Sequence, residues 1–383
     1  MLVYSDIIIV NNKLYAVGES IDGIFELNLK EEKLKKLNSY KNVYDSIRFK
    51  RCLSYGVKII FIPYSAGYIL LYDTSNQEFK EINLPIYNKK MTEKMESEKF
   101  LSAVIRNGYL FLFPWRYPAI VKMNLETYEI VFIDNWIDEF SNYITNKNLT
   151  FFREDILIDG EYANMITWNS PIVLRFNMDT LIYEIIKFDG FKCGFSTICK
   201  VDETVYLTDS KGYFYKTSVS FENNEIEEQL DFFDGTIYRK SYLYENKLIM
   251  LPTKTNKIML IDLEKGDTHK IQLGDVEDIE KRVLYAKQID NKNIIIQINS
   301  GELYVFNIES LEVLNIYILD KDIYSEIKND IIDNISHIVL EEKKKYALEL
   351  SDFFDIVIQQ SNKKEVIESC IGEEIYKKVI KTL

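Results

Sequence analysis

GIFELNL (23–29), YILLYDT (68–74), AIVKMNL (119–125), IVLRFNM (172–178), KIMLIDL (257–263) and ELYVFNI (302–308) are variants of one phrase. In each, a strand-forming apolar run closes on Asn or Asp and one further residue. A weaker copy, GYFYKTSV (212–219), fills the gap between the fourth and fifth. The polar markers Asn28, Asp73, Asn124, Asn177, Thr217, Asp262 and Asn307 are separated by 45, 51, 53, 40, 45 and 45 residues. A sheet of four short antiparallel strands needs roughly 40–50 residues, so the period is that of one such sheet per repeat.

Each repeat has the same internal order. An apolar strand such as SDIIIV, FLSAVI or YRKSYLY comes first. It turns at a polar pair: Asn11-Asn12, Asn107-Gly108, Asp159-Gly160, Glu245-Asn246 or Asp290-Asn291. Asn and Gly tolerate the positive φ of a tight reversal. A very apolar second strand follows (KLYAV, KIIFI, YLFLF, LIMLP, IIIQI), then a loop and the marker strand. A charged turn leads to a last alternating strand such as FKEINL or HKIQL. Seven such meanders predict an all-β chain folded as a seven-bladed β-propeller of four-stranded antiparallel blades over residues 1–320. Six blades is the alternative count if the first or fifth copy is not a full blade. The marker Asn or Asp is expected to bond the backbone of the turn that follows it.

The pattern resembles that of the kelch and YVTN-type β-propellers, including uncharacterised bacterial propellers, over about residues 5–320. The paired glycines of kelch blades and the Trp-Asp of WD40 blades are missing. The resemblance therefore implies a fold and no particular function.

Two connectors break the repeat. Residues 83–100 carry a charged insert, and 134–152 place Trp136, Ile137, Phe140 and Ile144 at helical spacing, which predicts a short helix on the rim. From about residue 321 the pattern changes. Ser351-Asp352 reads as an N-cap, Gly372 as a stop, and the last segment has acids first and lysines last. A short helical tail is expected over 321–383, packed on the propeller or docking a partner.

Composition narrows the function. Of 383 residues, 47% are apolar and 14% aromatic, with 27 Tyr and 22 Phe, which suits half-buried strands. A net charge of −13 argues against a general nucleic-acid binder, which needs a broad basic face. The N-terminus lacks a basic signal-peptide region, and no run approaches the ~18 apolar residues of a membrane span. Cytoplasmic residence without membrane insertion is the expectation. Cys52, Cys193, Cys199 and Cys370 have no C-x-x-C spacing and read as free thiols. With only His269 and His337, and no glycine-rich phosphate loop, a histidine metal site, a catalytic triad or a nucleotide cofactor has little to use. No cofactor or metal is expected.

The loops between second and third strands share one end of a propeller. They would gather Tyr64, Trp115, Arg116, Tyr117, Trp168, Lys211 and Lys254 there. A second register, in every blade after the first, puts Arg48, Lys99, Arg153, Lys192, Arg239 and Arg282 near the start of the innermost strand, at the same end. Aromatic and arginine side chains are typical of recognition surfaces, and a basic ring would attract anions into one opening. The leading expectation is a non-catalytic binding or scaffold module for a partner protein, or for an anionic or glycan-like ligand. The alternatives are an enzyme using Asp/Glu, Tyr and Arg at the channel mouth, and a structural subunit docked through its tail. The thiol reading has a direct check. A thiol reagent added to the unfolded, unreduced protein should count four; a count of two or fewer would contradict reduced cysteines.

Overall fold

The computed structural model describes residues 4–317, apart from 19–22, 30, 32, 40–46, 88–92, 144–149, 190, 192, 219–220, 222–227, 231–235, 275–282, 291 and 300. The helical tail expected from residue 321, Arg282, Lys192 and Cys370 lie outside the described residues.

Seven four-stranded antiparallel sheets follow one another, each built from consecutive strands in the order first-second-third-fourth. The seven-blade count is the correct one, and the fifth copy is a full blade despite its weak marker. The first strands are Tyr4–Val10, Phe49–Tyr55, Phe100–Arg106, Ile156–Asp159, Phe195–Val201, Tyr238–Tyr244 and Val283–Gln288. They line a central channel. That of blade 1 neighbours those of blades 2 and 7, which closes the ring. Closure needs no strand exchange: Tyr4 N–H donates to Oε1 of Gln297 at 2.8 Å across the seam between blades 7 and 1.

The turn chemistry follows the residues. Asn11 and Asn12 take φ of 52° and 60°, and Asn107 and Gly108 take 49° and 77°. Both pairs sit in the left-handed region that a two-residue hairpin requires. The marker side chains cap the third-to-fourth strand turns. Asn124 Oδ1 accepts from Glu126 and Thr127 N–H at 2.8 and 2.9 Å, and Asn177 Oδ1 from Asp179 and Thr180 at 3.0 and 2.9 Å. Asn28, Asp73, Asp262 and Asn307 do the same. The repeat that revealed the fold is thus a repeat of turn caps.

Second and third strands are buried on both faces between neighbouring blades, which is why they read as unbroken apolar runs. The fourth strands are largely exposed and alternate. The 134–152 connector forms a short helix, α2 (Ile137–Ser141). Trp136 and Phe140 are fully buried against Phe151 and Phe152, so this connector plugs the groove between blades 3 and 4. The charged insert also holds one helical turn, α1 (Glu93–Ser97), which its composition did not signal.

Blades are joined at the loop end by a repeated backbone clasp. Arg48 C=O accepts from Tyr64 N–H at 2.7 Å, and Tyr64 C=O then accepts from Lys99 N–H of the next blade at 2.7 Å. Lys99 C=O accepts from Trp115 N–H, and Trp115 C=O from Phe151 N–H, again at 2.7 Å. Between blades 4 and 5 the clasp is double and leaves no room for a side chain: Phe195 N–H donates to Thr167 C=O at 2.7 Å and Gly194 N–H to Trp168 C=O at 3.2 Å, and a Cβ on Gly194 would lie 2.1 Å from the Thr167 oxygen. Gly194→Ala should therefore destabilise the protein by about 2 kcal/mol or more. Gly67→Ala, where nothing lies within 4 Å, should change it little. Urea unfolding compares the two; equal midpoints would contradict the clasp.

Candidate functional site

The innermost strand of a blade has a sheet partner on one side only. Its other edge presents N–H and C=O groups to the channel, where they must find partners or water. In six blades this strand slips register after its first residue, so that Ser5, Lys50, Leu101, Ser196, Arg239 and Leu284 are bulged. In blade 4 the pairing starts only at Ile156, opposite Met165, with Glu154 and Asp155 just ahead. Six pairs of consecutive residues from this level line the channel cavities: Ser5-Asp6, Lys50-Arg51, Leu101-Ser102, Glu154-Asp155, Arg239-Lys240 and Leu284-Tyr285, all but Glu154-Asp155 re-aimed by the bulge, whereas Ser196 and Thr197 bond Thr208 within their own sheet.

These side chains lace the inner edges together. Asp6 Oδ2 accepts from Cys52 N–H of the next blade at 3.0 Å. Asp155 Oδ2 accepts from Ile198 N–H at 3.1 Å, Ser241 N–H at 3.2 Å and Ser241 Oγ–H at 2.9 Å, tying three blades. Arg51 donates to the Ser5 carbonyl at 2.6 Å. Ser102 donates to the Glu154 carbonyl, and Tyr242 to that of Ala286.

One ion-paired bridge crosses the channel. Glu154 of blade 4 takes Arg239 of blade 6 in a two-point contact, Nε–Oε1 2.7 Å and Nη2–Oε2 3.1 Å, and also pairs with Arg51 of blade 2. Above the bridge, toward the second-to-third strand loops, lies a cavity of about 310 Å³. Lys50, Arg51, Trp115, Arg153, Glu154 and Arg239 contribute to its wall. Below it lies a second chamber of about 390 Å³, with Asp6, Asp155, Lys240, Tyr285 and Lys287. The two linings together hold the cations Lys50, Arg51, Arg153, Arg239, Lys240 and Lys287 against the acids Asp6, Glu154 and Asp155. In a chain of net charge −13 the channel is thus locally cationic.

Of the side chains expected on this face, four come together. The Arg153 guanidinium lies between two indoles, 4.4 Å from the centroid of Trp168 and 5.7 Å from that of Trp115. Arg239 stands at the cavity floor. Burial lowers the pKa of Arg153, with Glu154 acting against that shift. Its Nε is buried without a hydrogen-bond partner among the described residues. Tyr64 is one step away, its ring under the Lys50 ammonium at 4.3 Å. Lys211 and Lys254 are exposed on their loops. Three expectations change. Tyr117 is 2% exposed and packs among Tyr87, Phe100 and Phe132, so it belongs to the core. Arg116 turns aside to pair with Glu98 at 2.6 Å. Arg48 donates to the Tyr68 hydroxyl at 3.3 Å within its own blade. In the same register Lys99 is buried and donates to the Ser65 carbonyl at 2.9 Å; desolvation lowers its pKa to about 8.

Among the described residues, Cys52, Cys193 and Cys199 are free thiols, and no three His, Cys, Asp or Glu side chains are placed to hold a metal ion. No described helix is long and apolar enough to cross a membrane.

No protein-family model matches the sequence, and no curated protein matches it. Solved structures do match in fold. The computationally designed Ika8 protein aligns with a TM-score of 0.53 at 8% identity, covering 82% of this chain and 86% of that one. The extracellular domain of the putative hybrid two-component system BT4673 from B. thetaiotaomicron aligns with a TM-score of 0.56 at 11% identity, covering 80% of this chain and 43% of that one. PorZ, a surface component of the type-IX secretion system of Porphyromonas gingivalis, aligns with a TM-score of 0.52 at 12% identity, covering 80% and 37%. The chain spans less than half the length of these two bacterial proteins. At such identities the likeness is one of fold alone.

The channel carboxyls titrate in opposite senses. Arg239 and Arg51 overcome burial at Glu154 and hold it well below the ordinary carboxylate range. Burial raises Asp155 to about 7, although its hydrogen bonds and Lys240 oppose the shift. Between about pH 4 and 7 the native state holds a proton at Asp155 that the unfolded chain releases, so stability falls as pH rises through that window. The Glu154 contribution is complete above about pH 4.5 and is lost only on further acidification. Urea unfolding of Asp155→Asn should therefore lack a loss of about 1–3 kcal/mol that the natural chain shows between pH 5 and 8. Parallel profiles would contradict the assignment.

Proposed function

We propose that the protein is a non-catalytic binding propeller that takes an anionic ligand at the loop-side mouth of its channel. The concentration of cations there, within an acidic chain, carries the reading. Lys50, Arg153 and Arg239 converge on one cavity whose wall is completed by the Trp115 indole. Low-dielectric walls focus the field of such a cluster into the opening. Clamped between two rings, the Arg153 guanidinium is pre-organised, and its planar edge suits a carboxylate or phosphate. The three described channel carboxyls are all engaged in ties between blades, which favours binding over acid–base work at this place. The proposed kinship with kelch and YVTN propellers is supported by the four-strand meander of each blade alone.

Citrate is a suitable probe, because it offers several carboxylates and little apolar surface. Calorimetric titration at low ionic strength should show saturable binding that weakens as salt is added. Arg153→Met should weaken it about tenfold or more, and Trp115→Ala by a similar factor, with the melting temperature nearly kept. Lys33→Ala with Lys265→Ala, on turns at the opposite end, should have no effect. Unchanged citrate affinity in Arg153→Met would contradict the site.

A further inference from the structure

Below the ion-paired bridge the channel holds two lysines that no carboxylate fully engages. Lys240 of blade 6 and Lys287 of blade 7 both stand in the wall of the lower chamber and are half-buried. Lys287 reaches Asp6 only at 3.9 Å, beyond hydrogen-bond range. Lys240 has no described carboxylate within ion-pair distance; its Nζ lies 5.3 Å from the ring centroid of Tyr242. Tyr242 stands between the two. Its hydroxyl donates to the carbonyl of Ala286, the residue before Lys287. Burial holds its phenol above the ordinary pKa, and of the charges acting on it Lys287 is the strongest. The two ammonium groups thus flank one side chain at the junction of blades 6 and 7.

The acids of the chamber are committed elsewhere. Asp6 accepts from Ile7 and Cys52 N–H, at 3.0 Å each, and Asp155 from Ile198 and Ser241. Glu154 is shared by Arg51 and Arg239, so that trio keeps a positive charge. Burial raises Asp155 to about 7, against its hydrogen bonds and Lys240. Below that pH the four cations Arg51, Arg239, Lys240 and Lys287 face the two carboxylates Asp6 and Glu154, a surplus of two positive charges. Like charges held together away from bulk water repel, and an anion between them removes the penalty. A volume of about 390 Å³ admits a hydrated ion, and the chamber opens toward the turn end past Leu53, Ala103 and Gln288. An ion with acceptor oxygens on all sides can take hydrogen bonds from both ammonium groups at once, whereas the two oxygens of a carboxylate lie on one side.

We propose that the lower chamber binds a compact divalent oxyanion between Lys240 and Lys287, linking blade 6 to blade 7. The site lies across the Arg51–Glu154–Arg239 bridge from the mouth and does not depend on it. The test is calorimetric titration with sulfate at pH 6 and low ionic strength, below the Asp155 titration, on the full Arg153→Met chain, so that binding at the mouth is weakened. Sulfate should bind saturably, and nitrate, with a single charge, at least about tenfold more weakly. Adding Lys240→Gln or Lys287→Gln should each weaken sulfate about tenfold. Bound sulfate should also raise the melting temperature of Arg153→Met more than that of Arg153→Met with Lys240→Gln. Melting curves without sulfate identify a lysine variant that fails to fold, and the other then decides. No saturable sulfate binding in Arg153→Met, nitrate equal to sulfate, or full sulfate affinity in the folded lysine variants would each overturn the proposal. Citrate titration of the natural chain decides the mouth separately, so either site can fail alone.

Discussion

Seven inner strands each leave one hydrogen-bonding edge facing the channel, and the rest of the structure answers that constraint. A sheet edge inside a ring has no strand left to pair with, and unpaired backbone groups in a narrow channel are costly. The protein meets the cost with side chains of the inner strands and of the residues just ahead of them. Asp6 and Asp155 accept neighbouring N–H groups, while Arg51, Ser102 and Tyr242 donate to neighbouring carbonyls. Because each tie runs to another blade, the groups that satisfy the edge also fix blade against blade. The backbone clasps at the loop end and the Gln297 contact at the seam complete the ring.

The same ties set the electrostatics. Carboxylates spent on N–H groups cannot also neutralise every cation nearby. The bridge of Glu154 to Arg51 and Arg239 divides the channel in two. A buried pair of this kind adds little net stability against an apolar replacement, but losing one partner is costly. Its clearer consequence is spatial. Above it Lys50 and Arg153 share a cavity with Trp115, and below it Lys240 and Lys287 share one with Asp6 and Asp155.

The blade meander was legible in the sequence because its signals are local. The Asn and Asp caps, the Asn-Asn and Asn-Gly hairpins and the unbroken apolar second strands each follow from a few adjacent residues. Trp136 and Phe140 announced their helix by spacing. The loop face was legible in outline, since topology alone brings Trp115, Trp168, Arg153 and Arg239 to one end. Which side chains enter the channel was not. Tyr117 follows Trp115 by two residues but turns into the core, and Arg116 is claimed by Glu98, a partner from the charged insert. The basic register ran close to the channel but was partly off it: Arg48 and Lys99 precede the bulge, whereas Lys50 and Arg51 are turned inward by it. A signal did exist in the polar pairs Glu154-Asp155, Lys50-Arg51 and Arg239-Lys240 within otherwise apolar strands. Their meaning depends on where the second strand pairs: a one-residue slip at Lys50-Arg51 and Arg239-Lys240, and a pairing that starts only at Ile156 for Glu154-Asp155.

The central claim is that a cationic channel mouth, built by these inter-blade ties, receives anions. Anomalous diffraction from crystals soaked in selenate addresses it most directly, because selenium is located without any assumption about the natural ligand. A selenium peak in the cavity bounded by Lys50, Trp115, Arg153 and Arg239 is expected, at occupancy above that of any other surface position. Peaks confined to exposed lysines outside the channel, with the mouth empty, would contradict it.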